Sequence, residues 1–211
     1  MISPYLSIKS RNGWKTCRLD WDDEVVVITG GQCSSGLGSL LAETLARNVT
    51  VIVLDIKPPE VEHDNIIYFE CDVSKFEDVQ RVAKEIIDEA GHPTIIINNA
   101  GIVQGKTILE SSEKEILKYN AKNVHTTLVC PGKMKTGMFD GSTVRFPFLT
   151  PSMATLEVVK PIITALDKNQ GQDIFIPFYV NILALLRFLP PFVQDLLYKM
   201  NDGDHSMSKW K

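Results

Sequence analysis

Apolar residues along the chain gather in short β-branched runs, and helical spacing fills the intervals between them. Glu24 to Ile28 (EVVVI) stops at a glycine cluster, and Leu40 to Arg47 (LLAETLAR) then repeats apolar residues at three- and four-residue steps. A second buried-strand run, Val49 to Leu54, closes on Asp55, and a third, Ile66 to Phe69, leads into Cys71-Asp72-Val73. Between Lys75 and Ala90, Val79, Val82, Ala83, Ile86 and Ile87 share one helical face, with Ser74 placed as an N-cap. Pro93 precedes a fourth run, Thr94 to Ile97. Strands alternating with helices predict an α/β, doubly wound parallel sheet covered on both faces.

Beyond Gly101 the pattern shortens. It predicts a helix over about 111–118, a strand from His125 to Cys130 ending at Pro131-Gly132, and a last strand from Asp173 to Ile176. Thr150 and Pro151 fit the N-cap and first position of a helix reaching Leu166, with Pro161 as an interruption. Residues 1–23 read as an irregular lead-in that Trp14 and Trp21 pack onto the body, 24–178 as a dinucleotide-binding domain, and 179–211 as an apolar segment with a polar tail.

Composition narrows the function classes. The 211 residues are 44% hydrophobic and 23% charged, enough for one sizeable core. A net charge of −4 from interspersed acids and bases leaves no basic stripe for a phosphate backbone, so nucleic acid is not an expected partner. Cys17, Cys33, Cys71 and Cys130 lie far apart without Cys-x-x-Cys spacing, which predicts reduced thiols in a cytoplasmic compartment and no zinc site. The first 15 residues hold no apolar run of signal-peptide length.

The glycine cluster carries the chemistry. Thr29-Gly30-Gly31-Gln32-Cys33-Ser34-Ser35-Gly36-Leu37-Gly38 joins the first strand to the first helix. A dinucleotide site needs glycines there, because the backbone turns tightly, approaches a pyrophosphate and aims a helix N-terminus at its charge. Asp55 closes the next strand 17 residues beyond Gly38, where a carboxylate can accept hydrogen bonds from an adenosine ribose. That acid favours NAD over NADP, with Lys57 nearby as an opposing charge.

With ITGG…SSGLG (Ile28 to Gly38), Asp72-Val73, NNAG (Asn98 to Gly101) and PGKMKT (Pro131 to Thr136) in order, each after a strand, the chain resembles the short-chain dehydrogenase/reductase family, whose fold is Rossmann-like. The resemblance implies that Gly30, Ser35, Gly36, Leu37 and Gly38 surround the pyrophosphate and that Asp72 and Val73 contact adenine. It implies further that Asn98 supports the central sheet, that Asn99, Ala100 and Gly101 lie along the cofactor, and that Pro131, Gly132 and Thr136 reach the nicotinamide end. The loop departs from the family pattern: four residues separate Gly31 from Gly36 where the family has two, so Gln32 and Cys33 must bulge away from the pyrophosphate or push it out.

The family also uses a tyrosine that moves a proton to or from the substrate oxygen, a lysine four residues later and a serine that holds that oxygen. A phenol ionises near pH ~10, so it needs the neighbouring cation to act as a base near neutrality. Tyr119 and Lys122 in LKYNAKNVHTTLVCPG are three apart, and they sit only a few residues before the strand at His125. No long helix fits there, and Asn120 falls too early for the family's helix asparagine. Only 29 residues separate Gly101 from Pro131, room for one crossover and its return strand, since a βαβ unit takes about 30. The family places two crossover helices and a central strand in this interval. The stretch therefore reads as a junction, with the catalytic Ser/Tyr/Lys segment missing and no catalytic residue assigned. Without the central strand, His125 to Cys130 either pairs with Thr94 to Ile97 or leaves two edges exposed. The usual family dimer, built on the missing helices, is not expected.

The segment DIFIPFYVNILALLRFLPPFVQDLLYKM, with Arg187 as the lone charge between Asp173 and Asp195, resembles the ends of lipid-associated family members acting on retinol-like, steroid-like or long-chain alcohols and ketones. It implies a substrate lid or a segment lying on a membrane, ER or lipid-droplet surface, since Arg187 and Pro190-Pro191 interrupt a span already short; ordinary core packing is the plain alternative. The expectation is thus an NAD(P)-dependent oxidoreductase ancestry with impaired or absent catalysis. The alternatives are a non-catalytic nucleotide- or lipid-associated regulatory protein, and a shortened splice or gene-model product without stable function.

Overall fold

A computed structural model describes residues 18–31, 36–58, 63–101, 125–136, 151–177, 190 and 192–193. Four parallel strands, β1 (Val25–Thr29), β2 (Thr50–Asp55), β3 (Ile66–Glu70) and β4 (Ile95–Ile97), form a sheet in the order β3-β2-β1-β4. Helix α1 (Leu37–Leu45) links β1 to β2, and α2 (Phe76–Ala90) links β3 to β4. The reversal of direction at β1 is the doubly wound arrangement, and it places the crevice for a ligand at the carboxyl ends of β1 and β4.

Register sorts the strand residues into two faces. Val26, Ile28, Val51 and Val53 are buried against Leu41, Ala42 and Leu45 of α1 and against Val158, Val159 and Ile162 of a third helix, α3 (Thr155–Asp167). On the other face Val27, Ile52, Leu54 and Phe69 meet Val82 and Ile86 of α2. The strands are apolar on both sides because both are covered, as a parallel sheet requires. Cover on the α2 side thins at β4: Ile96, paired in register with buried Val27, is 64% exposed.

The remaining strands, β5 (Leu128–Pro131) and β6 (Asp173–Ile176), pair in parallel as a second sheet. Val129 and Ile176 nonetheless pack on the same core cluster as Ile95 and Ile97 of β4. Of the two arrangements the sequence allows, the structure adopts the second: among the described residues β4 and β5 share no ladder, and the hydrogen-bonded sheet breaks between them.

Two helix starts differ from expectation. Ser74 does not cap α2, whose N-cap residue is Lys75 without a side-chain cap bond; the Ser74 hydroxyl donates to Asp72 Oδ1 at 2.6 Å instead, because an acid two residues away is a nearer acceptor. The last long helix starts after Ala154 rather than at Thr150-Pro151, and a bridge pairing Met153 with Met134 holds the preceding backbone extended. Pro161 lies inside α3 without ending it. Its missing N–H forfeits one helical bond, which burial of Val158, Val159, Ile162 and Ala165 offsets. Trp21 packs on the core as expected and donates from Nε1 to Asp167 Oδ1 at 2.8 Å, tying the lead-in to the end of α3. Trp14, the expected helix over 111–118, Thr150 and nearly all of 179–211 lie outside the described residues. Among the described residues no helix is long and apolar enough to cross a membrane.

Candidate functional site

The predicted site residues gather at the carboxyl ends of the strands. Gly30 follows β1 with φ +69°, a backbone open to glycine, and its N–H donates to Leu54 O at 2.8 Å. A Cβ on Gly30 would stand 2.7 Å from Ala100 Cα, so the first loop and the NNAG loop are in backbone contact. Gly38, in the first turn of α1, meets the Asn99 side-chain amide and the Gly30 carbonyl just as closely. Gly36 begins α1 without a side-chain cap bond. The first amides of α1 therefore open over the loop, a ready anion position. Ser35, with Gln32 and Cys33 of the enlarged loop, lies outside the described residues.

One hydroxyl and one amide fasten the two loops. Thr29 Oγ1 accepts from the backbone N–H groups of Asn99 at 3.1 Å and Ala100 at 3.0 Å. Asn99 Nδ2 donates to Thr29 O at 3.1 Å and to Gly30 O at 2.8 Å. The sheet-supporting role expected of Asn98 falls to Asn99 instead: alternation past Ile97 turns Asn98 to solvent and Asn99 toward β1. Ala100 and Gly101 are exposed beside this clamp.

Asp55 ends β2 on the α1 face. Its Oδ1 accepts the Lys57 N–H at 3.2 Å, and its carbonyl accepts the Tyr68 hydroxyl and the Cys71 N–H, each at 3.0 Å. Burial, reinforced by the charges of Glu70 and Asp55, holds the Tyr68 phenol above its usual pKa. Past β3, Asp72 Oδ1 accepts the Ser74 N–H at 3.1 Å as well as its hydroxyl, and Lys75 Nζ stands 3.3 Å from Oδ2. The Ser74 bonds, then Lys75, keep the Asp72 carboxyl below the usual carboxylate range. From the far side, Asp78 Oδ2 accepts the Asp72 N–H at 3.4 Å and Arg81 Nη2 donates to Glu70 O at 3.1 Å. Val73 is 43% exposed at the rim. Cys71 beneath it is a buried free thiol, raised in pKa chiefly by that burial.

The hydrogen bonds tie the first strand's loop to the NNAG loop, and those at Asp55 tie β2 to the loop after β3. Those of Pro131 to Thr136 run elsewhere: Gly132 N–H donates to Ile176 O at 2.6 Å and Lys135 N–H to Met153 O at 3.1 Å. Thr136 is half-buried beyond them. Tyr119, Asn120 and Lys122 lie outside the described residues. Sequence reasoning missed Thr29 and Tyr68 as positioning groups. Their signals were a hydroxyl closing an otherwise aliphatic strand, and a tyrosine on β3 at the parity that faces the Asp55 side.

Comparison with known proteins fits this geometry. A family model described as short chain dehydrogenase matches residues 24–143. An uncharacterized oxidoreductase of Saccharomyces cerevisiae is 26% identical over 257 residues, covering 86% of this chain and 83% of that protein. Epidermal retinol dehydrogenase 2 of Mus musculus is 27% identical over 251 residues, covering 82% and 80%. Among solved structures, Thermoplasma acidophilum aldohexose dehydrogenase in ligand-free form superposes with a TM-score of 0.59 at 19% identity, over 79% of this chain and 97% of that one. A short chain dehydrogenase from Burkholderia cenocepacia in complex with NADP reaches 0.60 at 17% identity, over 87% and 99%. These structural likenesses establish the fold.

Proposed function

The chain belongs to the short-chain dehydrogenase/reductase family of oxidoreductases, and from that premise we propose that it binds a nicotinamide dinucleotide, NAD in preference to NADP, with catalysis absent or severely impaired. The observation that carries the reading is the break of the sheet between β4 and β5, where the interval from Gly101 to Pro131 holds only 29 residues. The aligned stretch with the yeast oxidoreductase, 257 residues, is longer than this entire 211-residue chain, which supports a shortened chain.

The nucleotide end fits what the family binds. The close backbone approach at Gly30 and Gly38 and the uncapped start of α1 suit a pyrophosphate, held by Gly30, Ser35, Gly36, Leu37 and Gly38. Asp55 takes the ribose hydroxyls, Asp72 and Val73 flank the adenine, Asn99, Ala100 and Gly101 line the middle, and Pro131, Gly132 and Thr136 the nicotinamide end. When bound, the nicotinamide gives or takes a hydride; in this chain no residue is assigned to the accompanying proton. The relatives named for retinol, with the apolar sequence after Asp173, support a lipophilic alcohol or ketone as the ancestral substrate and a lipid surface as a contact.

Titration of the purified chain with NADH and NADPH during thermal unfolding, followed by a retinol oxidation assay, tests both halves. The expected result is a saturable rise in Tm, larger with NADH, and turnover about 10² to 10⁴ below that of an intact relative. No shift with either nucleotide sinks the cofactor reading; turnover comparable to an intact relative sinks the loss of catalysis.

A further inference from the structure

Asp55 is not the lone carboxylate at its end of the sheet. Parallel pairing sets Asp55 of β2 in register with Glu70 of β3. Register partners on adjacent strands lie about 5 Å apart and project to one side, so both acids stand on the α1 face, the side on which the glycine loop crosses to its helix. Three backbone and side-chain bonds hold that corner. The Tyr68 hydroxyl and the Cys71 N–H both donate to the Asp55 carbonyl, and Arg81 donates to the Glu70 carbonyl.

The nearby cations do not cancel the second acid. Arg81 reaches only the Glu70 backbone, and its guanidinium is shared with Asp78 at 3.4 Å and Glu85 at 3.1 Å. Lys75 pairs with Asp72. Lys57 lies past the end of β2, with its amide donating to Asp55.

We infer that Glu70 is a specificity-determining residue, a second carboxylate that acts with Asp55 to reject the 2′-phosphate of NADP while leaving NAD binding intact, in a corner positioned by Tyr68. The inference rests on the nucleotide-binding reading above and deepens it. A 2′-phosphate brings about −1.5 to −2 charges at pH 7. At ~7 Å in solvent-like surroundings, each unit-charge pair weighs about 0.6 kcal/mol, so Glu70 opposes the phosphate by roughly five- to tenfold in affinity at low salt. NAD carries no charge at that position and is nearly indifferent.

The test is the ratio of NADPH to NADH dissociation constants for the full chain, measured by nucleotide fluorescence in ~50 mM and ~500 mM salt. The proteins are wild type, Glu70→Gln, Asp55→Asn and the double variant. Glu70→Gln is expected to tighten NADPH about five- to tenfold at low salt with NADH within about twofold, and the effect is expected to shrink at high salt as screening shortens the reach of the charge. Tyr68→Phe is expected to lower discrimination less and to be independent of salt. A merely structural role would weaken both nucleotides together and leave their ratio fixed. An unchanged ratio in Glu70→Gln, with a changed one in Asp55→Asn, overturns the role of Glu70 and leaves nucleotide binding standing. Binding of neither nucleotide by the wild-type chain overturns both.

Discussion

Thr29 is 8% exposed, and its hydroxyl oxygen takes two amide donors from the loop after β4. A valine there keeps the shape and the β propensity but leaves both donors without that acceptor. Thr29→Val is expected to cost about 1–3 kcal/mol in urea unfolding, whereas Thr29→Ser, which keeps the hydroxyl, is expected to recover most of the loss. Equal loss in both variants would mean that the methyl group, not the hydroxyl, matters. The same residue-scale logic explains why Asn99 replaces Asn98 as the bridging amide. Motif spelling offers two asparagines, and only strand parity decides which one turns inward.

At the scale of elements, α1 sits where it does because its first turn has no side chain at Gly38. The Asn99 amide and the Gly30 carbonyl occupy the space that a Cβ would need, and both are held by the clamp rather than free to move. Gly38→Ala is therefore expected to push α1 off the loop, lowering stability by about 1–3 kcal/mol and abolishing the NADH-induced rise in Tm. Retention of that rise would show that the start of α1 does not face the pyrophosphate. The positions of β1, β2, β3 and β6 were legible to within a residue or so, since β-branched runs bounded by glycine, aspartate or proline leave few choices. The helix starts were less so. Ser74 and Thr150-Pro151 carry cap chemistry, yet local competition at Asp72 and the Met134 to Met153 bridge move the true starts downstream.

Across the whole molecule, two hydrogen-bonded sheets share one apolar cluster but no ladder. β1 and β2 are central, with residues almost wholly buried and partners on both sides of β1 and β2. β5 and β6 pair with each other and are half-exposed. Native-state amide exchange should accordingly be slowest in β1 and β2 and markedly faster in β5 and β6, as small, partly covered ladders open locally. Uniform protection across all six strands would contradict the break in the sheet.

The sequence alone determined the parallel α/β class, the family, the four loops and the acid that closes β2, because each rests on short-range rules: strand length, glycine at a forced turn, and side-chain parity. It also determined, by counting residues between Gly101 and Pro131, that a full set of crossovers does not fit. Tertiary structure decided the rest. It decided that β5 pairs with β6 and not with β4, that Thr29 and Asn99 lock two loops 70 residues apart, and that Glu70 stands beside Asp55. Those are consequences of register between strands distant in sequence, and pairing over such separations depends on which buried faces pack together, which no local pattern encodes.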